Sequence, residues 1–245
     1  FRLAMALSQM GKTRFAKRAF ETAVRHAPDH QAALIALGND ARLEGYMTRA
    51  KAMFSRDLHA GPDNFAARAN VSIPPLERGD LDVALRTITA ALARVPFNLT
   101  LLANYLLGLN YVSTLEPRQA RALHGTFERL MAVKFGTRRM PVKPKRRATY
   151  RVGVLSADFR RHSVSMFVEP LLSGLPSGSL SVYCYSAVAK GDSHTERLRD
   201  YNNTWRDVAE LDTHALARTI QGDSLDVLIE LGGHTAGSRL DVFAE

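Results

Sequence analysis

Two short polar stretches of the chain crowd acid, base and hydroxyl groups together. The first, ADFRRHSVS over 157–165, holds Asp158, Arg160, Arg161, His162, Ser163 and Ser165. The second, GGHTAGSR over 232–239, holds His234, Thr235, Ser238 and Arg239 among Gly232, Gly233 and Gly237. A neutral imidazole, with an ordinary pKa of about 6.5, can take a proton from a hydroxyl or give a hydrogen bond to an oxygen. Arg160 and Arg161 can draw a diphosphate or simply face solvent. Asp158 suits either the orientation of a reacting group or the capping of a following helix. The glycines allow close backbone approach and leave amides for an anion or a sugar hydroxyl. GGHTAG alone is a weak motif and lacks the GxGxxG spacing of dinucleotide loops. HExxH, GKS/T and GxSxG are absent, which removes zincin, P-loop and α/β-hydrolase readings.

Both stretches follow apolar runs. Val152, Val154 and Leu155 flank Gly153 in the first, and residues 226–231 read as a buried strand before the second. Between them, 181–186 alternates as a strand, 205–208 makes a short one, and 163–172, 195–203 and 212–221 carry helical patterns. Strands separated by helices predict a parallel sheet with right-handed crossovers, which gathers the polar loops at its carboxyl edge, where ligands meet such sheets. A complete doubly wound domain needs more strands. The sequence stops as another helix starts, so the α/β lobe at 150–245 is expected to be cut short, and the opening in mid-helix pattern suggests a missing N-terminus.

Residues 1–96 repeat with a period of 34. Pro28, Pro62 and Pro96 hold it, as do Gly11, Gly45 and Gly79, then Ala16, Ala50 and Ala84, then Phe20, Phe54 and Ile88. Each alanine lets two antiparallel helices approach, the large residue four later shares its face, the glycine ends the first helix and the proline stops the second. In the third unit Ile73-Pro74-Pro75 is expected to shorten or distort the first helix. Residues 97–133 form a leucine-rich helical connector. Residues 134–149 form a basic, proline-containing linker.

The formal charge of +9 is nearly matched by Lys134, Arg138, Arg139, Lys143, Lys145, Arg146, Arg147 and Arg151, eight bases without an acid, so the excess is assigned to this linker and not to a spread-out binding face. A solvated connector, or a brace against an acidic surface, is favoured there over a nucleic-acid contact. Cys184 is the only cysteine, which excludes an intrachain disulfide and a cysteine-based metal site and fits a reducing, cytoplasmic setting. No apolar run is long enough to cross a membrane.

The segments VGVLSADFRRHSV, FVEPLL, VYCYS, WRDV and DVLIELGGHTAGSRLDVFA, in this order and spacing, closely resemble one family. It comprises the O-linked N-acetylglucosamine transferases and their SPINDLY-like bacterial relatives, protein glycosyltransferases with an N-terminal tetratricopeptide array. LLANYLLGLNYVSTLEPRQARALHGTF resembles their connector, and Gly38, Ala4 and Ser72 match the small position of the repeat. The resemblance implies a multidomain chain, with an all-α tetratricopeptide solenoid followed by an α/β Rossmann-like lobe of a GT-B glycosyltransferase. The family's second lobe, which holds the nucleotide, has no counterpart here, so these residues alone are expected to be inactive.

By the same resemblance His162 reaches into the cleft near donor and acceptor, and Asp158 orients that edge. Gly233, His234, Thr235 and Gly237 line the sugar side. Thr204 stands where relatives commonly have a histidine, which shifts weight to His162, to Asp158 or to the donor's own phosphate. The implied reaction is inverting, metal-independent transfer of N-acetylglucosamine from UDP-N-acetylglucosamine to serine or threonine hydroxyls of proteins, with no separate cofactor. The repeat groove would take the acceptor peptide, no nucleic acid or membrane partner is expected, and self-association stays open. GDP-fucose as donor, or a non-catalytic peptide-binding solenoid, are the rival readings.

Overall fold

The computed structural model describes residues 1–61, 64–136, 148–174, 178, 180–201 and 204–244. Pro62 and the linker bases from Arg138 to Arg147 lie outside the described residues. The chain divides into two compact units, Phe1–Phe127 and Glu128–Glu245.

The first unit is an array of helices: α1 (Arg2–Gln9), α2 (Thr13–His26), α3 (Gln31–Leu43), α4 (Met47–Ala60), α5 (Phe65–Glu77), α6 (Leu81–Leu92) and α7 (Leu99–Leu109), with α8 (Pro117–Phe135) running on into the second unit. The 34-residue columns are its core. Ala16, Ala50, Ala84, Phe20, Phe54 and Ile88 are all buried, as are Ala4, Gly38 and Ser72. A Cβ on Gly38 would meet the Phe54 ring at 2.4 Å, so the small position is what lets α3 and α4 close. Gly11, Gly45 and Gly79 stand one residue beyond the C-caps of α1, α3 and α5 with φ of 70°, 82° and 80°. Each turns the chain in the left-handed region that ordinary residues avoid.

One expectation fails. α5 runs unbroken through Ile73-Pro74-Pro75 and has the same 13 residues as α3. Two amide bonds are missing, but both proline rings are buried and the carbonyls of Pro74 and Pro75 still accept from Arg78 and Asp80 at 3.1 and 2.9 Å. Packing against α4, α6 and α7 holds a helix that local propensity would end.

The second unit is built on a parallel sheet of β1 (Tyr150–Ser156), β2 (Leu180–Ser186), β3 (Thr204–Asp207) and β4 (Val227–Glu230), in the order β3-β2-β1-β4. Helices α9 (Ser163–Gly174), α10 (Ser193–Arg199) and α11 (Thr213–Gly222) make the crossovers, and a 3-10 turn, Leu240–Ala244, follows the last loop. One core joins Val154, Phe159, Val168, Leu172, Val182, Cys184 and Leu198, and another joins Leu155, Tyr185, Val208, Leu216, Ala217 and Val242. The Asp223 carboxylate, at the end of α11, is gripped by Tyr185 Oη at 2.6 Å and Arg206 Nε at 2.6 Å. Burial opposes its charge, yet these partners hold its carboxyl below the usual carboxylate range.

The strand read as buried is another correction. β4 is an edge strand among the described residues, and Val227 and Ile229 are 49% and 42% exposed. Its apolar run, like that of a central strand, says nothing of which neighbour covers it. No described helix is long and apolar enough to cross a membrane.

Candidate functional site

Strand β1 delivers the first polar loop to the carboxyl edge of the sheet, and three contacts fix its path. The Ser156 hydroxyl accepts the Asp158 amide at 2.9 Å, a local turn typical of serine. Phe159 is fully buried, its ring 5.4 Å from that of Trp205, and the chain turns outward at the exposed Arg160 that follows. The buried Ser165 hydroxyl donates to the carbonyls of Asp158 and Arg160, folding the loop back onto the start of α9.

A further clamp comes from Asp192, which the sequence reading had passed over. Its carboxylate accepts the Arg161 amide at 2.8 Å and the His194 and Thr195 amides at 2.9 and 3.0 Å. The same carboxylate thus caps α10 and ties the β1 loop to it. The Arg161 and Thr195 amides, together with that of His194, outweigh the cost of desolvation and keep this carboxyl below its ordinary range.

His162 and Asp158 are brought together. Nδ1 of the imidazole lies 3.7 Å from Asp158 Oδ2 and 3.3 Å from the Val164 amide nitrogen. The His162 side chain is 38% exposed whereas that of Asp158 is nearly buried. Arg160 Nη2 stands 3.3 Å from the other carboxylate oxygen. Asp158 therefore faces its own loop and does not cap α9, which answers one of the two roles considered for it. The ring's tautomer sets its chemistry. With Nδ1 accepting from Val164, Nε2 carries the proton and can only donate; with Nδ1–H turned to Asp158, Nε2 presents a lone pair that can accept a proton.

Strand β4 delivers the second loop. Here Glu230, also missed from the sequence, is the organiser: Oε2 accepts the Gly233 amide at 2.7 Å and Oε1 the Arg239 amide at 3.3 Å, so one carboxylate holds both arms of the loop. Thr235 closes a turn through its hydroxyl and amide, 2.8 and 3.1 Å from the Gly232 carbonyl. The Ser238 amide returns to the Thr235 carbonyl at 3.3 Å. The amides of Gly233, Thr235, Ser238 and Arg239 are thus spent inside the loop, above a carboxylate. Of the two ligands considered for it, a hydroxyl-bearing group suits this electrostatic setting and an anion does not.

Arg239 is turned away. Its Nη1 donates to the Leu211 carbonyl at 3.1 Å and its Nε lies 3.3 Å from Asp241, which makes it a brace of the loop. Replacing Glu230 by alanine is expected to speed hydrogen exchange of the Gly233 and Arg239 amides by about 10–100-fold, the equivalent of one or two charge-assisted hydrogen bonds. Exchange mass spectrometry resolves those peptides.

The two loops touch. Gly237, with φ of 83°, approaches so near that a Cβ there would lie 3.0 Å from the Ala157 Cβ. His162 and Asp158 on one side, and half-buried His234 and exposed Thr235 on the other, share this edge. Thr204 does not. It opens β3, paired with Tyr183, which in turn pairs with Gly153, so it stands three residues short of the carboxyl ends of β2 and β1. Cys184 is no nucleophile, because burial pushes its thiol up to about 12.

A helical repeat array joined to a parallel Rossmann-like lobe with its polar loops at the carboxyl edge is the architecture of an array-bearing GT-B glycosyltransferase. The chain is similar to an O-GlcNAc transferase (a mutant form) of Thermobaculum terrenum, with a TM-score of 0.84 and 26% identity over 98% of this chain and 46% of that one. Residues 125–245 match glycosyl transferase family 41. Among curated relatives, the probable UDP-N-acetylglucosamine–peptide N-acetylglucosaminyltransferase SPINDLY of Arabidopsis thaliana is 38% identical over 97 residues, 38% of this chain and 11% of its own length. The SPINDLY protein of Eustoma exaltatum subsp. russellianum is 33% identical over 149 residues, 58% of this chain and 16% of its own. Residues 125–245 thus resemble glycosyl transferase family 41, and the chain spans less than half the length of these relatives.

Proposed function

We propose that the chain is the array and acceptor-side lobe of a protein O-glycosyltransferase, which moves N-acetylglucosamine from UDP-N-acetylglucosamine to serine or threonine hydroxyls with inversion, without a metal, in the cytoplasm. The observation that carries this reading is the exposed His162, backed by the nearly buried Asp158, on a loop pressed against the glycine-rich loop at Ala157 and Gly237. The donor and the peptide acceptor are those for which the SPINDLY relatives are named.

In a single displacement the acceptor oxygen bonds to the anomeric carbon as the bond to the diphosphate breaks. The electron pair leaves with the diphosphate, and the hydroxyl proton passes to a base. Asp158 favours the tautomer with Nδ1–H, which frees Nε2 of His162 for that proton. The loop around Gly233, His234, Thr235 and Gly237 would meet sugar hydroxyls, for which its inward amides and the Glu230 charge suit it. The repeat array would hold the acceptor peptide.

The test uses protein expressed from the complete gene, incubated with radiolabelled UDP-N-acetylglucosamine or GDP-fucose in the presence of chelator. Label reaching protein from UDP-N-acetylglucosamine is the expected result. Label from GDP-fucose alone would overturn the donor, and no turnover of either would leave a peptide-binding solenoid.

A further inference from the structure

The charge of +9 is distributed differently from its sum. Residues 1–96 hold 14 Lys and Arg against nine Asp and Glu, whereas residues 152–245 hold eight against 13. The near-neutral remainder outside the linker is therefore a cancellation between a basic array and an acidic lobe, which corrects the assignment of the whole excess to one connector.

On the array the bases collect on second helices. α2 and α4 carry seven Lys and Arg against Glu21 and the buried Asp57. Because first helix packs on first helix, α3 against α5, the second helices stand on the outer side, away from the groove assigned to acceptor peptides. Two cavities open on this side. Arg14, Phe15 and Arg18 line one of about 180 Å³. Tyr46, Met47, Thr48, Arg49, Ala52 and Arg78 line parts of a wider one of about 840 Å³. Positions 14, 15 and 18 precede 48, 49 and 52 by one 34-residue period, so these are the same place on successive repeats. Phe15 and Tyr46 are 62% and 60% exposed.

Some of the cations are already engaged, Lys17 with Glu44 at 2.6 Å, Arg49 with Glu21 at 2.9 Å and Arg78 with Asp80 at 3.2 Å. Arg14, Arg18 and Lys51 are exposed and form no ion pair among the described residues.

We propose that this outer face docks an acidic polypeptide segment, whose carboxylates meet Arg14, Arg18 and Lys51 and whose apolar side chains enter the two repeat-related cavities. Guanidinium groups match carboxylates in a planar, two-bond geometry, and aromatic and methionine side chains beside them suit a protein partner. A nucleic-acid backbone would carry its dense, evenly spaced phosphates across Glu21, Glu44 and Asp80, which are interspersed among the bases. A polypeptide can space its charges to avoid them. The inference rests on the array alone and stands or falls without the proposed transfer chemistry.

Fluorescence anisotropy on the intact protein tests it, with a labelled peptide of alternating glutamate and leucine. A lysine–leucine peptide and a single-stranded DNA of equal charge serve as comparison probes. The acidic peptide is expected to bind, more weakly as salt rises, and the double variant Arg14→Glu, Arg18→Glu to lose at least about tenfold in affinity. Lys190→Glu, the same kind of charge reversal on an exposed loop of the lobe, is expected to change nothing. Thermal unfolding followed by circular dichroism verifies that both variants are folded. Absence of peptide binding, an equal loss in Lys190→Glu, or tighter binding of DNA would overturn the proposal. A dimer in light scattering that the double variant abolishes, without peptide binding, would make the occupant a second copy of the chain and overturn it as well.

Discussion

Changing His162 to alanine in the complete protein is expected to lower sugar transfer by about 10²–10⁴-fold, the range over which a positioned acid or base acts. Three features make this residue the one to change. It is exposed at the carboxyl edge, its backbone path is fixed through Ser165 and Asp192, and its Nδ1 faces a carboxylate. The loss should fall on kcat, with little change in the donor KM, because the imidazole would act on a proton in flight and not on bound nucleotide. The melting temperature should hold, since the side chain fills no core. Asp158→Asn should also slow transfer, by less, because it keeps the shape of the loop while the carboxylate that selects the Nδ1–H tautomer is gone. An unchanged kcat in His162→Ala would remove the imidazole from the chemistry and leave the proton to the donor's own phosphate. A fall in melting temperature as large as the fall in rate would make its role structural.

Much of this site was legible from residue order alone. The period of 34 is visible because each of its columns is a packing requirement: Ala16, Ala50 and Ala84 must be small, and Phe20, Phe54 and Ile88 must fill the space beside them. The two loops were visible because a parallel sheet sends every βα loop to one edge, so polar residues just after apolar runs are neighbours wherever the strands fall in order. The residues that hold those loops were not visible. Glu230 reads as the polar end of a strand until the chain folds Gly233 and Arg239 back over it. Asp192 reads as a helix cap, which it is, and only the fold adds the Arg161 amide 31 residues earlier. Pro74 and Pro75 misled for the opposite reason, since a local rule was overridden by burial on neighbouring helices. The edge position of β4 had no local signature at all. Residue type and spacing report what an element is, and partner identity depends on where the next element goes.

The second large effect is on the stability of the repeat array. Asp57 is fully buried in α4, and neither carboxylate oxygen has a hydrogen-bond partner among the described residues. One repeat period earlier and later the chain has Ala23 and Ala91, so the fold asks for a small apolar residue there. Asp57→Ala is expected to stabilise the array by about 1–3 kcal/mol, the cost of an unsatisfied buried polar group, offset in part by the smaller volume. The pH dependence has a definite sign. Burial raises the carboxyl above its ordinary value of 3.8, so the folded chain binds its proton more readily than the unfolded chain. The native protein is therefore penalised at neutral pH, and the penalty fades as pH falls through the raised folded value towards 3.8. Urea unfolding of native protein and Asp57→Ala across that interval should show the advantage of alanine largest near neutrality and shrinking towards acid. Asp57→Asn separates the two contributions: it retains the unsatisfied polarity without the charge, so its offset from alanine should not vary with pH. An alanine variant no more stable than the native chain would mean that the carboxylate finds partners in solution, and a pH-independent gain would mean that the carboxyl titrates alike in the folded and the unfolded chain.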